Sequence, residues 1–396
     1  MKILFLANRI PYPPFRGDKL KIYNLAKRLC ADHTLYLIAF VENKEELKHR
    51  SKLEEIFEEV HLVFQPVWRS WFMSALNIFG SAPFQLAYFK NRRMHECLAD
   101  FLDKTSIDVI HTQHLRMSQY TANLKAHKRI LDLPDAYSLY WERRKKVKRP
   151  FLNRIFDSIE SERVVRAEHV INSYDLSLAC SVEDQAHLQK LHPNAKVGLL
   201  RNGVDLETFK PRNNSYEGAE KLLFTGNMDY APNVDAVTYF VNNLFQTIIT
   251  MYPNVRLVIA GQRPVKEVLD LKSDRVEVTG FVENMADAYA AADVVIAPLR
   301  FGAGTQNKVL EAMAMGVPVV CTDIGFKGLE LKSGEGVLHA SNDEAFIKHV
   351  CALLESKDLR KKVGAMGIQH AEQTFSWDGI AKVLEAHFKS VIIADF

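Results

Sequence analysis

The sequence predicts an α/β protein with two doubly wound domains, each built on a parallel sheet that carries helices on both faces. Its 396 residues exceed what one typical hydrophobic core accommodates. Short apolar runs alternate with helical patterns from end to end, and this alternation starts again after about residue 215. Buried apolar strands separated by helices are typical of parallel sheets, so two such runs indicate two domains.

The first predicted domain covers residues 1–205 and opens with a strand at 2–7. A proline-rich loop follows, and a helix begins at Asp18, whose carboxylate can cap it. The other apolar runs of this domain predict strands at 34–40, 60–64, 108–112, 129–133 and 176–179.

The second predicted domain covers residues 206–376, after a polar connection that contains proline and glycine. Its longest helix is expected over 233–251. Its apolar runs predict strands at 221–225, 255–260, 276–279, 294–298, 317–322 and 336–339. The last stretch, 377–396, is expected to form a helix that packs back toward the first domain, with a simple terminal helix as the alternative. Ligands of doubly wound domains bind beyond the carboxyl ends of the strands, so we expect a ligand in a central cleft that the two domains face.

Composition narrows the class of protein. The net charge of +3 gives no support for a nucleic-acid partner. The five cysteines are scattered, and no pair has the spacing of a metal or redox site. The first apolar run is too short for the hydrophobic region of a signal peptide, so we expect a cytoplasmic protein.

The segment 300–320, RFGAGTQNKVLEAMAMGVPVV, carries the most chemistry. Gly302 and Gly304 allow a tight turn between a predicted strand and a helix, and they allow a ligand to approach the backbone. Lys308 and Glu311 are three residues apart and share one face of that helix. Free amides at the start of a helix bind phosphate, so this layout predicts an anion site. The alternative is an ordinary turn with a surface lysine and glutamate.

Four segments in this order carry a resemblance to a known family: RNGVDLETFKP from residue 201, TGNMDYAPNVDAV from 225, GFVENMADAYAAADVVIAPL from 280 and KVLEAMAMGVPVV from 308. Together they resemble the GT-B retaining glycosyltransferases of the family 4 type, the glycosyl transferases group 1. The resemblance implies two Rossmann-like domains that face a central cleft. It also implies a nucleotide-diphosphate sugar held in the second domain and transfer to an acceptor hydroxyl with retention.

The resemblance assigns the donor site residue by residue. Glu311 matches the family's second conserved glutamate, which binds the ribose hydroxyls, whereas Ala303 stands where the family has its first glutamate. No base follows Gly226, so Lys308 and Arg300 are expected to neutralise the diphosphate and to act in catalysis. The donor-binding residues expected on this basis are Gly17, Arg16, Gly226, Asn227, Gly302, Ala303, Gly304, Thr305 and Glu311.

Two segments of the first domain complete the expected site. The loop that contains Arg16 and Gly17 matches the family loop that approaches the donor diphosphate. The resemblance also implies a histidine that contacts the transferred sugar. We assign this catalytic role to His114, and we assign His111 and Asp135 to the acceptor. A core or surface histidine, and a helix cap at Asp135, are the alternatives.

Two further segments combine aromatic and basic residues. The segment 70–89 contains no charge but is interrupted by polar residues, glycine and proline, so we expect an amphipathic helix that ends near Gly80 and does not span a membrane. A basic run begins at 143, and aromatic residues flank it. These segments predict peripheral contact with the inner face of a membrane and a lipid-linked glycan acceptor. A solvated face and a helix packed on the core are the alternatives. The residues concerned are Trp68, Trp71, Phe72 and Phe79, and Arg143, Arg144, Lys145, Lys146, Lys148 and Arg149.

The predicted function is therefore glycosyl transfer in the assembly of bacterial surface polysaccharide or lipopolysaccharide. We expect a UDP- or GDP-linked sugar as co-substrate, no other cofactor and no nucleic acid. No Asp-x-Asp element stands at a fitting strand end, so we expect no metal site. A sugar-nucleotide epimerase of the same architecture and a non-catalytic sugar-nucleotide binding protein are the alternative functions.

Overall fold

A computed structural model describes residues 1–15, 17–147, 150–212 and 220–393. The chain divides into two compact units, Met1–Asn202 with Trp377–Phe396, and Gly203–Ser376. Each unit is an α/β structure with a single parallel sheet, which is the predicted fold class. Arg16, Lys148 and Arg149, which the sequence singled out, lie outside the described residues.

The first unit contains a seven-stranded sheet in the order β3-β2-β1-β4-β5-β6-β7. Every pair of neighbouring strands is parallel. The strand order reverses between β1 and β4, and ligands of open α/β sheets bind where such a reversal occurs. The strands are β1 (Lys2–Ala7), β2 (Thr34–Val41), β3 (Glu59–Phe64), β4 (Val109–Gln113), β5 (Arg129–Leu133), β6 (Leu176–Ala179) and β7 (Val197–Leu199).

The edge strand β7 was not predicted from the sequence. It has three residues, all partly exposed, so it lacks the apolar run that marks the other strands. It pairs with β6 through Ser177 and Val197, and through the two residue pairs that follow.

In the described part of the chain, nine α-helices precede the second unit. They are α1 (Gly17–Leu29), α2 (Arg50–Glu54), α3 (Val67–Leu76), α4 (Phe84–Tyr88), α5 (Arg92–Lys104), α6 (Ser118–Thr121), α7 (Tyr137–Lys146), α8 (Phe151–Glu168) and α9 (Val182–Leu191). The charge-free segment therefore forms two short helices, and the first ends at Leu76, four residues before the expected end at Gly80. Among the described residues, no helix has both the length and the apolar character needed to cross a bilayer.

The second unit contains a six-stranded parallel sheet in the order β10-β9-β8-β11-β12-β13. Here the order reverses between β8 and β11, so the carboxyl ends of these strands are the expected ligand position in this unit. The strands are β8 (Lys221–Thr225), β9 (Arg256–Ala260), β10 (Val276–Gly280), β11 (Val294–Ala297), β12 (Val319–Cys321) and β13 (Val337–His339).

The helices of the second unit cover both faces of this sheet. They are α10 (Ala231–Tyr239), α11 (Gln246–Met251), α12 (Lys266–Leu269), α13 (Met285–Ala290), α14 (Asn307–Ala314), α15 (Asp323–Phe326), α16 (Asp343–Glu355) and α17 (Lys357–Thr374). The helix expected over 233–251 is α10 and α11 joined by a π-helical turn, Phe240–Phe245. The wider turn directs Phe240 and Phe245 into the core together, with ring centroids 5.7 Å apart.

The last helix, α18 (Trp377–Ile393), belongs to the first unit. Trp377, Leu384 and Phe388 are buried at helical spacing in the core that also contains residues of α1 and β1. Arg28 of α1 forms an ion pair with Asp378 at 2.5 Å, which fixes the start of α18.

A buried ion pair holds α1 to the centre of the first sheet. The Lys21 ammonium donates to Asp132 Oδ1 at 2.6 Å and to the carbonyl oxygen of Leu200 at 3.1 Å. Both charged side chains are almost completely buried. The pair therefore connects α1, β5 and the end of the first unit.

We predict that Lys21→Met lowers the free energy of unfolding of the first unit by about 3–5 kcal/mol, because Asp132 is left as an uncompensated buried charge. The double variant K21M/D132N removes both charges and should recover part of this loss. Urea unfolding followed by circular dichroism gives the comparison. Equal loss in the single and double variants would contradict the role assigned to the pair.

Candidate functional site

The loops after β8, β9 and β11 meet at the carboxyl edge of the second sheet, and each begins with a glycine or contains one early. Gly226, Gly261 and Gly302 have φ values of 148°, 153° and 149°, which favour glycine. A Cβ on Gly261 would lie 1.7 Å from the Gly226 carbonyl oxygen, and a Cβ on Gly226 would lie 2.5 Å from Asn233 Nδ2. The loops after β8 and β9 therefore pack against each other at backbone distance.

The loop between β11 and α14 turns at Gly302 and at Gly304, whose φ is 75°. Ala303 and Thr305 are buried within this turn, and α14 begins two residues later, at Asn307. The predicted glycine turn thus leads into the helix that carries the charged pair.

Lys308 is buried at the first turn of α14. Its Nζ donates to Asn233 Oδ1 at 2.6 Å and lies 4.0 Å from the centroid of the Phe224 ring. Burial lowers the pKa of Lys308 to about 7. An anion that reaches Nζ would favour the charged form, so this ammonium is suited to respond to a bound phosphate.

Glu311 lies one turn further along α14 and is partly exposed. Its Oε2 accepts a hydrogen bond from the Tyr289 hydroxyl at 2.7 Å, and that hydroxyl is also 2.7 Å from Thr225 Oγ1. Burial of the carboxyl raises the pKa of Glu311. The tyrosine fixes one carboxylate oxygen and the orientation of the side chain.

Two amides extend this arrangement toward β9. Asn233 Nδ2 donates to the carbonyl oxygen of Asn227 at 3.0 Å, and Gln262 Nε2 donates to Asn227 Oδ1 at 2.8 Å. A continuous polar network therefore runs from Lys308 through Asn233 and Asn227 to Gln262. The sequence analysis missed Asn233, Gln262 and Tyr289. Asn233 is a polar residue within an apolar helix and could have been noticed, whereas Tyr289 has the pattern of a core residue.

Arg300, which the sequence analysis assigned to the diphosphate, is paired with a carboxylate in this structure. Its guanidinium forms two hydrogen bonds with Asp235, at 2.8 Å and 2.5 Å, and its central carbon lies 4.2 Å from the centroid of the Tyr239 ring. The guanidinium of Arg300 thus binds a carboxylate of α10. The assignments of Arg300 and Lys308 to the diphosphate stay predictions.

In the first unit, His114 lies just beyond the carboxyl end of β4 with a φ of 79°. The ring is buried, and its Nε2 lies 2.7 Å from Arg116 Nη2 and 2.7 Å from the Tyr137 hydroxyl. Because a guanidinium only donates, Nε2 must accept, and the ring proton is on Nδ1. Within the described part of the chain, Nδ1 has no hydrogen-bond partner.

Burial and then the Arg116 charge hold the pKa of His114 well below its ordinary value. The imidazole is therefore neutral, and its Nδ1–H is a buried donor. The assignment of His114 to the transferred sugar stays a prediction.

His111 is completely buried in the core and does not reach solvent. Its ring centroid lies 4.9 Å from that of Phe5 and 5.9 Å from that of Phe388. Burial lowers the pKa of His111 to about 4. The structure thus corrects the assignment of His111 to the acceptor, because strand alternation turns this residue toward the helix-covered core.

Asp135 follows β5 and remains partly exposed. Burial of the carboxyl, together with the charge of Asp184, raises the pKa of Asp135 well above its ordinary value. The protonated form of Asp135 can donate a hydrogen bond. Its assignment to the acceptor stays a prediction.

Gly17 is the first residue of α1, and Asp18 fastens the preceding loop to the sheet. Asp18 Oδ2 accepts from Arg9 at 3.0 Å and from Asn8 at 3.3 Å, while Gln113 Nε2 donates to the Asp18 carbonyl oxygen at 2.6 Å. The start of α1 is therefore tied to the ends of β1 and β4.

Two parallel α/β sheets with glycine loops at their carboxyl edges define the GT-B class of glycosyltransferase fold. Sucrose-phosphate synthase from Thermosynechococcus elongatus has this architecture, with a TM-score of 0.74 over 100% of both chains at 14% identity. Anabaena Alr3699/HepE in complex with UDP superposes with a TM-score of 0.72 over 98% of this chain and 100% of that chain, at 16% identity.

Sequence comparison shows which family the second unit resembles. Residues 219–356 match the family described as glycosyl transferases group 1, and this range contains the whole glycine-loop site. The lipopolysaccharide core biosynthesis mannosyltransferase LpsB of Rhizobium meliloti (strain 1021) is 25% identical over 57% of this chain and 68% of its own length. Two further glycosyltransferases match over 59% and 53% of their lengths. The second unit is therefore similar to the glycosyl transferases group 1, and the chain has the GT-B fold.

We predict that the His114 ring stays neutral, with its proton on Nδ1, through the pH range in which an exposed histidine gains a proton. A lowered pKa keeps the imidazole uncharged in this range, whereas an exposed histidine gains a proton. NMR of protein with ¹⁵N-labelled histidine measures both properties, and His114→Asn assigns the signal. A signal that titrates near the ordinary histidine pKa would contradict the buried, Arg116-bonded geometry.

Proposed function

We propose that the protein transfers a sugar from a nucleoside-diphosphate sugar to an acceptor hydroxyl with retention at the anomeric carbon, as in the family 4 type. The observation that carries this proposal is the pair Lys308 and Glu311 on α14, directly after the glycine loop. The Lys308 ammonium can bind a phosphate, and the Glu311 carboxylate can accept hydrogen bonds from hydroxyls. A nucleoside diphosphate carries both kinds of group.

The diphosphate is assigned to the amino end of α14. The loop amides and the helix dipole favour an anion there, and the Lys308 ammonium supplies the full positive charge. Its hydrogen bond with Asn233 holds Nζ in place before the ligand arrives. Gly226, Asn227, Gly302, Ala303, Gly304 and Thr305 contribute backbone or small side chains that allow close approach.

The ribose is assigned to Glu311. Tyr289 occupies one carboxylate oxygen and orients the other, and a carboxylate can accept from two neighbouring hydroxyls. A ligand whose hydroxyls pair with this carboxylate stabilises its charged form, which burial otherwise disfavours.

The main requirement of the reaction is to stabilise the negative charge that develops on the leaving diphosphate. The bond from the anomeric carbon to the diphosphate oxygen breaks, the acceptor oxygen bonds to the same carbon on the same face, and the proton of the acceptor hydroxyl passes to the departing diphosphate oxygen. Fixed amides and one ammonium stabilise the departing charge without reorganisation, so we propose that no metal ion is required. The neutral His114 imidazole is assigned to a sugar hydroxyl through its Nδ1–H.

The nucleotide is proposed to be UDP or GDP. Alr3699/HepE has been solved with UDP and with UDP-glucose, and LpsB is named a mannosyltransferase. The involvement of LpsB in lipopolysaccharide core biosynthesis supports a role for this chain in surface polysaccharide or lipopolysaccharide assembly. A cytoplasmic location and a lipid-linked glycan acceptor complete the proposal.

We predict that Lys308→Met weakens binding of the preferred nucleotide sugar by roughly 10- to 100-fold at pH 6, where the ammonium is charged. Turnover at saturating donor should fall as well, because the same charge stabilises the leaving group. Isothermal titration calorimetry measures the affinity, after a thermal-shift screen of UDP, GDP and ADP sugars has identified the ligand. Product analysis with and without acceptor distinguishes transfer from epimerisation.

Lys348→Met is the matched control, because Lys348 is an exposed lysine on α16 of the same unit. Its affinity and turnover should equal those of the unaltered protein. Full turnover in Lys308→Met at saturating donor would refute the role given to Lys308. Nucleotide binding without transfer to any acceptor would instead indicate a binding protein.

A further inference from the structure

Helix α8 has its polar and apolar faces reversed. It exposes a stripe of apolar side chains at helical spacing, and it buries charged ones on the opposite face. The exposed fractions of Phe151 and Leu152 are 73% and 77%. The stripe consists of Phe151, Leu152, Ile155, Phe156 and Ile159, and the buried charged residues are Asp157, Glu160, Arg163 and Glu168. A helix of a water-soluble surface shows the opposite arrangement.

Internal bonds fix the rotation of α8. Asp157 accepts from Arg144 Nε at 3.1 Å, and Glu160 accepts from the Phe84 amide at 2.7 Å. Arg163 donates to the carbonyl oxygen of Ile78 at 2.7 Å. Turning the apolar stripe inward would break these buried bonds, so the outward stripe is a property of the folded unit.

Helix α3 and the turn after it expose a second stripe. Trp68 and Trp71 are 72% and 66% exposed, and Phe79 is 99% exposed. The stripe consists of Trp68, Trp71, Phe72, Leu76 and Phe79, again at helical spacing. Isolated exposed apolar residues are ordinary, but two parallel sets on neighbouring helices are not.

The two stripes are neighbours on the first unit. Phe84 at the start of α4 stacks against Phe156 of α8, with ring centroids 5.4 Å apart. The Arg163 bond to Ile78 joins α8 to the turn after α3. We call this combined area the aromatic surface.

Basic side chains predominate around the aromatic surface, where the exposed carboxylates include Glu142, paired with Lys146 at 2.9 Å, and Glu162. The sequence has no Asp or Glu between residues 60 and 95, and none between 143 and 156. The same stretches carry Arg69, Lys90, Lys145, Lys146 and Arg154 among the described residues, and Lys90, Lys145, Lys146 and Arg154 are exposed. A second copy of the chain would bring like charges together, whereas an anionic surface would be attracted.

We propose that the aromatic surface docks the first unit on a bilayer that contains anionic lipid. Exposed tryptophan and phenylalanine insert at the headgroup boundary, where their rings are stable. The basic side chains around them bind lipid phosphates, and their methylene stems follow the apolar boundary. This docking would bring the protein to the lipid-linked acceptor of the proposed function. It is argued from the aromatic surface alone, and it can be tested separately because vesicle binding requires neither donor nor transfer.

Intrinsic fluorescence tests the proposal on the full chain. The protein has four tryptophans. Trp141 and Trp377 are 6% and 1% exposed, so Trp68 and Trp71 are the pair that reports on the surface. Vesicles of phosphatidylcholine with phosphatidylglycerol should shift the emission to shorter wavelength and sediment the protein. Vesicles of phosphatidylcholine alone should bind at least ~tenfold more weakly.

The variant F151S/L152S removes two exposed side chains of α8 and should weaken vesicle binding by ~tenfold or more. The matched control is F281S/L269S, which removes one exposed phenylalanine and one exposed leucine from the second unit. The control should bind vesicles as the unaltered protein does. Unchanged thermal unfolding of both variants shows that the fold is retained.

Equal vesicle binding by F151S/L152S and the control would overturn the proposal. So would a lipid-free dimer in analytical ultracentrifugation that F151S/L152S converts to a monomer, because a second copy would then cover the surface. Loss of vesicle binding with donor binding intact supports docking. Loss of donor binding in Lys308→Met with vesicle binding intact separates the two proposals.

Discussion

The hydrogen bond from the buried Lys308 ammonium to Asn233 joins the helix after the glycine loop to the helix after β8. It places a cation whose pKa is about 7 beneath loops that already approach one another at backbone distance. Such a group is costly to keep charged without a partner, and a diphosphate would supply that partner. The remaining parts of the site are arranged around this one lysine: Asn233 leads to Asn227 and Gln262, and Glu311 follows one turn later.

The position of this network follows from the sheet. Because β8, β9 and β11 are parallel neighbours, their carboxyl ends lie at one edge, and each of their loops contributes to it. The first unit also has a polar group beyond the carboxyl end of a central strand, but it is built from different side chains. His114, Arg116 and Tyr137 form a buried, hydrogen-bonded group beyond β4, where the neutral ring offers a donor and no charge. In the proposed function, the second unit binds the anion and the first unit binds a hydroxyl.

Sequence reasoning predicted the architecture well, because buried parallel strands are marked by continuous apolar runs. It missed β7, which is short and partly exposed. It found Lys308 and Glu311 from their spacing after two glycines, since local geometry determines where they lie. It could not find the pairing of Arg300 with Asp235, which is 65 positions away, or the burial of His111 against Phe388. The contact of Tyr289 with Glu311 could not be predicted from the sequence, because it depends on the packing of two separate helices.

The most direct test of the nucleotide site asks whether the Glu311 carboxylate binds the ribose hydroxyls. Affinities of the preferred nucleoside diphosphate and its 2′,3′-dideoxy analogue are measured by calorimetry for the unaltered protein and for Glu311→Gln. If Glu311 binds the ribose, removal of the hydroxyls weakens binding to the unaltered protein by roughly tenfold or more and changes binding to the variant much less. An equal loss in both proteins, or no loss in the unaltered one, would contradict the site described.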